Sequence, residues 1–222
     1  LRFLEDYAIR LGKPLIIIFG LGSANGSRTG ASPLAEMMEN LTKKPNISVI
    51  TCMGNEANNK CHYKGTVMSA LVPDVMEINV DGTGKGFTME IWADSLDILS
   101  VSIESPSGEY VPRIPARMGA SMEYTFLYEG STVTVDYQIT ENVAGMEVIF
   151  VRLKTPVEGT WKFYIYSLTN IKGSYNAWLP LKQFSGQDIY FLKSDPDTTL
   201  TVPAAADGVI SVGAYNHYTG AA

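Results

Sequence analysis

Cysteine is scarce in this sequence, with Cys52 and Cys61 the only two among 222 residues. Two thiols build no disulfide framework, and since Cys52 lies in an apolar, strand-like run both are expected to be free. Long hydrophobic runs are missing too. A membrane-spanning helix needs ~20 apolar residues, whereas the longest run here, Leu15 to Phe19, has the length of a buried strand. Membrane insertion is therefore not expected. Basic residues are outnumbered, 17 Lys and Arg against 23 Asp and Glu, for a net charge of −6. No basic stripe can neutralise phosphates, so nucleic acid is not an expected partner. Histidine is limited to His62 and His217, each beside a tyrosine and read as a partly exposed loop residue. Neither has a carboxylate at a spacing that suggests a catalytic pair. Cys52, Cys61 and His62 lack a Cys-x-x-Cys pair and a fourth ligand, so no metal is expected. The run Asp81-Gly82-Thr83-Gly84-Lys85-Gly86 lacks the phosphate-loop register and reads as a turn. The first residue is Leu1 and helix-like text begins at once, with no charged-then-apolar leader; the chain is expected to be an internal piece of a longer reading frame.

What is present describes a packed protein. Hydrophobic residues make up 45% and charged residues 18%, a balance that excludes a disordered or coiled-coil chain. At about 150 residues per domain, the length suits one domain with a large insertion or two small ones. Phe3, Leu4, Tyr7, Ala8 and Leu11 recur at helical spacing until Gly12-Lys13-Pro14 stops them. The β-branched run Leu15 to Phe19 lacks polar alternation, as expected of a parallel strand covered on both faces. It ends in Gly20-Leu21-Gly22-Ser23-Ala24-Asn25-Gly26. A second helix follows, with Ser32 as N-cap, Pro33 at the first helical position, Glu36 at the capping-box position, and Leu34, Met37, Met38 and Leu41 as its apolar face. Lys43-Lys44-Pro45 ends it, and Ile47 to Met53 forms the next strand, running into Gly54-Asn55-Glu56. Strand, helix, strand at this spacing is a right-handed parallel crossover.

The text changes near Lys64-Gly65. Short strands separated by turn signals are expected at 66–71, 77–80, 87–92, 99–105, 124–128, 132–138, 147–153, 159–166 and 174–179. Regular spacing of this kind reads as an antiparallel β-sandwich, most simply a jelly roll. Trp161, Phe163 and Ile165 alternate with polar neighbours and share the inner face. After Asp195-Pro196-Asp197, the segment Gly208 to Ala214 returns to the buried-strand idiom. The expected fold is α/β plus all-β, an α/β part over 1–65 and 195–222 interrupted by a β-sandwich over 66–194.

Two strand ends carry the chemical signal. Glycines at the carboxyl end of a parallel strand let another backbone approach, so Gly20-Leu21-Gly22 can pair with an extended peptide. Asn55, directly after Gly54 on the neighbouring strand, puts a neutral amide donor where α/β sheets bind ligands. Each alone is also what a tight turn looks like. Together with Val49-Ile50-Thr51-Cys52-Met53-Gly54-Asn55-Glu56, Thr201-Val202-Pro203 and Val209 to Ala214, the order resembles the middle of subtilisin-like serine proteases. It is most similar to the clostridial Csp-type subtilases, in which a jelly roll interrupts the protease domain, and the likeness runs along essentially the whole chain.

The resemblance implies that Asn55 is the oxyanion-hole asparagine. It implies that Gly20, Leu21 and Gly22 pair with the non-primed side of a peptide substrate, although Gly20 stands where serine is more usual. It further implies that Cys52, Met53 and Gly54 wall the pocket for the residue before the scissile bond. No cofactor is implied, and the compartment suggested is secreted or spore-associated in a bacterium. A triad needs nucleophile, base and orienting carboxylate together, and the sequence has no His-Gly-Thr, no Gly-Thr-Ser and no Asp-Ser/Thr-Gly. The chain by itself is therefore expected to be inactive, its parent a serine endopeptidase. Two rival readings are a regulatory pseudoprotease with a degenerate triad, and a carbohydrate-binding jelly roll using Trp92, Trp161 or Trp178. The tryptophans read first as core.

Overall fold

In the computed structural model, the described residues are 1–82, 84–94, 96–117, 119–140, 145–169, 171–185 and 188–215, with the side chains of 94, 139 and 140 outside the description. Thr83 and His217 lie outside the described residues. The chain forms two compact units, one of Leu1–Asn55 with Leu200–Ala222, the other of Glu56–Thr199.

The first unit starts with α1 (Arg2–Leu11), ended by Gly12 at φ 60, a left-handed cap that glycine adopts without a Cβ penalty. Strand β1 (Leu15–Phe19), helix α2 (Pro33–Thr42) and strand β2 (Ile47–Cys52) follow. The Ser32 hydroxyl accepts the Ala35 N–H at 3.1 Å, so Ala35 occupies the third helical position and Glu36 falls one residue beyond the capping-box site. β1 and β2 are parallel in the register Leu15↔Ile47 to Phe19↔Thr51. The last strand of the chain, Ile210–Val212, joins β2 in parallel and completes a three-stranded sheet. Met38 and Leu41 of α2 pack with Ile17 and Val49 on one face of that sheet. The expectation of a sheet covered on both faces is not met: Ile16 and Ile18 are 67% and 76% exposed on the other face. The reason is that α2 supplies the only buried helical side chains of this unit among the described residues, and α1 buries none.

The second unit is built from antiparallel strands β3 (His62–Thr66), β4 (Asp74–Asp81), β5 (Gly86–Asp94), β6 (Leu99–Glu104), β7 (Tyr110–Ile114), β8 (Ser121–Thr125), β9 (Thr132–Thr140), β10 (Met146–Lys154), β11 (Gly159–Ser167), β12 (Ser174–Trp178) and β13 (Asp188–Phe191), with a single helical turn, α3 (Lys182–Ser185). That numbering leaves β14 for Ile210–Val212. A six-stranded sheet, β3-β12-β5-β10-β9-β8, and a five-stranded sheet, β13-β4-β11-β6-β7, share one hydrophobic core, the arrangement of a β-sandwich. Trp161, Phe163 and Ile165 all point into it and are fully buried. Two of the expected strands sit elsewhere, and a further one has no counterpart among those expected. The strand expected at 66–71 is β3, which ends at Thr66 because Ser69 and Val72 close a tight turn. β8 precedes the expected 124–128, since Phe126 to Ser131 is a turn closed by the Ser131 carbonyl and Gly130 at φ 67. β7 was not expected, its signal broken by Pro112, which an edge strand tolerates.

Polar side chains tie the sheets together across the core. Tyr63 of β3 and Tyr175 of β12 both donate to Asp74 Oδ2 of β4, at 2.9 and 2.7 Å. Burial, and then the Asp74 charge, raise both phenols well above their ordinary range, so both remain donors. The Tyr175 ring lies across Gly65, where a Cβ would meet Tyr175 Cζ at 2.2 Å. Gly65→Ala is therefore expected to displace that ring from Asp74 and cost about 1–3 kcal/mol. The denaturant midpoint of the sandwich measures it; an unshifted midpoint would mean the ring has room to move.

Candidate functional site

The parallel register carries the carboxyl ends of β1 and β2 to one end of the sheet, so Gly20-Leu21-Gly22 and Cys52-Met53-Gly54-Asn55 leave it side by side. Gly54 has φ 88, a backbone conformation open to glycine and strained for other residues, and it turns the chain out of the strand line. Asn55, the next residue, is exposed, as are Gly20 and Leu21. Cys52 and Met53 are half-buried, and Cys52 is a free thiol. Met53 is held from both sides: its N–H donates to Val212 O at 3.0 Å and its carbonyl accepts the Thr201 N–H at 2.9 Å.

Thr201 is the residue that the sequence did not single out. It is 2% exposed, and its hydroxyl donates to Cys52 O at 3.3 Å. A Cβ on Gly22 would stand 2.3 Å from Thr201 Oγ1, and one on Gly54 2.6 Å from Thr201 Cγ2. Both glycines thus make room for one threonine that packs the two loops together. Their pairing around a common neighbour was the available signal, but nothing in the sequence names the neighbour. The main chain of 200–204 also bridges to the first loop: Ser23 and Val202 exchange both hydrogen bonds, at 3.0 and 2.9 Å. Gly20, Leu21 and Gly22, expected to pair with a peptide, therefore lie in the first loop, and Cys52, Met53 and Gly54, expected to wall a pocket, lie at the end of β2 and in the second loop together with Asn55.

The loops hold no acid or base of their own. His62, read as a partly exposed loop residue, instead lies on β3 at 0% exposure. Its Nδ1 is 3.1 Å from Asp195 O, its Nε2 is 3.0 Å from Asn176 Oδ1, and its ring stacks on Trp178 at 4.9 Å. With the ring fully buried and both nitrogens engaged inside the sandwich, it is out of reach of a nucleophile in solvent. Cys61 is a buried free thiol whose Sγ–H points to Glu56 O at 3.7 Å. Among the described residues no three His, Cys, Asp or Glu side chains group as metal ligands, and no helix is long and apolar enough to cross a membrane. Trp92, Trp161 and Trp178 are 6%, 0% and 4% exposed, so none offers a ring face to a sugar.

No protein-family model matches the chain, and no curated protein does. Among solved structures, that of the CspB protease of Clostridium perfringens superposes on 99% of this chain with a TM-score of 0.87 and 25% sequence identity. This chain spans 45% of the length of that protease chain. The molecule is thus similar in fold to a protease along nearly its whole length while spanning less than half of it, which supports a protease-related role.

Proposed function

We propose that this chain is a segment of a subtilisin-like serine endopeptidase, carrying the oxyanion-hole asparagine and part of the substrate cleft. In this reading the unit of 1–55 and 200–222 belongs to the protease domain, and the unit of 56–199, which takes in β3 as well as the expected 66–194, is an inserted jelly roll. The observation that carries it is the turn at Gly54, which leaves an exposed Asn55 beside the Gly20–Gly22 loop at the carboxyl ends of two paired parallel strands. An extended peptide laid along Gly20–Gly22 finds unencumbered backbone to pair with, and Cys52, Met53 and Gly54 wall the side chain next to the scissile bond. A serine from another part of the polypeptide attacks the carbonyl, a histidine takes its proton, and an acyl-enzyme forms as the amine leaves. The Asn55 amide donates to the carbonyl oxygen as it becomes negative. A neutral amide suits this position because it is a donor at every working pH and needs no proton to do it. The substrate is peptide or protein, and the setting a secreted or spore-associated bacterial enzyme.

A fluorogenic peptide and a fluorophosphonate probe test the proposal. The 222-residue chain is expected to give neither turnover nor labelling, and a longer polypeptide that contains it is expected to give both. Turnover by the chain itself, abolished by a serine-directed inhibitor, would overturn the assignment of the triad to other segments. A longer polypeptide that binds peptide but is neither labelled nor active would make the protein a pseudoprotease.

A further inference from the structure

Glu147 points inward from β10 and is 1% exposed, a carboxyl inside the sandwich core. It reaches across to the opposite sheet, where its Oε2 accepts the main-chain N–H of Leu99, the first residue of β6, at 2.9 Å. Among the described residues, its Oε1 is buried without a hydrogen-bond partner. Two residues before Leu99 stands Asp97, 0% exposed and an acceptor in each of its bonds. It takes the main-chain N–H groups of Ile171, Lys172 and Gly173 at 2.7, 3.0 and 2.7 Å and the Ser167 hydroxyl at 3.4 Å. A second carboxyl therefore lies next to the first with all its capacity committed to shaping the 171–173 segment.

Among the described residues, the other groups around Glu147 offer no counter-charge. On β5 its register partner is Ala93. On β9, the Tyr137 hydroxyl donates to Ile114 O at 2.9 Å and accepts the Val101 N–H at 3.3 Å. On β7, Arg113 is occupied by Ser100 Oγ at 2.6 Å and by the Tyr166 ring. No described lysine or arginine forms an ion pair with Asp97 or Glu147.

We propose that Glu147 is a proton-operated latch between the two sheets: its neutral carboxyl holds Leu99 and the adjoining Asp97 in place, and loss of the proton as pH rises loosens segments 97–99 and 171–173. A bare anion with one oxygen unpartnered costs far more in a dry core than a neutral acid does. Burial, with the Asp97 charge adding to it, pushes the Glu147 carboxyl up to about 7, while the Leu99 N–H pulls the other way. The folded sandwich thus favours the protonated form over a range in which the unfolded chain is already ionised. Its stabilising effect is complete below the ordinary carboxylate range, declines as pH rises toward 7, and is gone above it. The latch is independent of any role in peptide hydrolysis, since it lies wholly within Glu56–Thr199.

Amide hydrogen exchange on the 222-residue chain, corrected for intrinsic chemistry, tests it. Opening at Leu99, Ile171 and Gly173 is expected to increase about thirty-fold from about pH 5.5 to about pH 8.5, which is the part of the Glu147 shift from its ordinary value that falls within this interval, converted through linkage. In Glu147→Gln, which keeps an acceptor for Leu99 and has no proton to lose, the same amides are expected to change less than about two-fold. Equal pH dependence in the two proteins would overturn the proposal. The carbon-13 shift of the Glu147 carboxyl supplies a reading that survives a variant that fails to fold: a midpoint near neutrality supports the latch, and a midpoint in the ordinary carboxylate range removes it.

Discussion

Asn55→Ala, made in a longer polypeptide that contains this segment and its triad, is expected to lower kcat by about 10²–10³ and leave KM nearly unchanged. That magnitude was measured in subtilisin itself, so it is the size the proposed role requires and no independent derivation from this chain. The split between kcat and KM follows from when the amide acts. A ground-state carbonyl oxygen carries little charge and lies short of the donor; the tetrahedral oxygen carries a full charge and moves toward it. Truncation therefore removes an interaction made only in the transition state. Asn55→Asp separates the roles further, because it keeps the shape and replaces a donor by an acceptor facing like charge. It is expected to be at least as damaging as alanine. Steady-state kinetics on both variants, with active sites counted by a fluorophosphonate, measure the effect. An unchanged kcat would take Asn55 out of the chemistry. A raised KM with kcat intact would make it a binding residue. Gly54→Ala probes the support of the same group: its φ of 88 and a Cβ within 2.6 Å of Thr201 Cγ2 require the turn to shift, so both constants are expected to suffer.

The largest stability effect is expected from Trp161→Ala in the sandwich, about 3–5 kcal/mol. Trp161 is 0% exposed on the inner face of β11, its ring meets Phe126 edge to face at 5.0 Å, and its Nε1–H donates to Val157 O at 3.1 Å. Alanine deletes the indole, leaves a cavity that two hydrogen-bonded sheets cannot collapse to fill, and strips the Val157 carbonyl of its donor. Trp161→Phe keeps most of the volume and loses only the hydrogen bond and part of the ring, so about 1–2 kcal/mol is expected. Because the chain forms two compact units, unfolding is followed by a probe confined to the sandwich, such as amide signals of β4 and β11. A loss below that of the phenylalanine variant would mean that the core repacks.

Much of the architecture was legible because it rests on local patterns. The glycine stop after α1, the N-cap at Ser32, the parallel pair β1 and β2, and the alternation along β11 are each written in contiguous residues. The failures have local causes too. Pro112 disguises an edge strand, the Gly130 turn interrupts an apolar run, and four-residue β13 is too short to show a period. His62 reads as a loop residue because Asn58, Asn59 and Lys60 lead into it, whereas its neighbours in space are Trp178, Asn176 and Asp195. For the candidate site, the two loops could be named from the sequence because each follows an apolar strand and contains glycine. Thr201, which packs them together, could not, since it lies far from both loops in the chain and its contact partners, Gly22 and Gly54, have no side chain to give a pattern.

The sequence by itself determined most of the helices and strands of both units, the excess of acidic over basic charge, and the two glycine-bearing strand ends, because periodicity, charge and backbone permissiveness are properties of neighbouring residues. The tertiary structure alone decided which partners those residues meet: Thr201 between two glycines, Tyr63 and Tyr175 on one aspartate, and Glu147 buried in the sandwich core near Asp97. Those outcomes depend on distance and solvent exclusion between residues far apart in the chain, and the free energy of a polar group is set by what surrounds it in space.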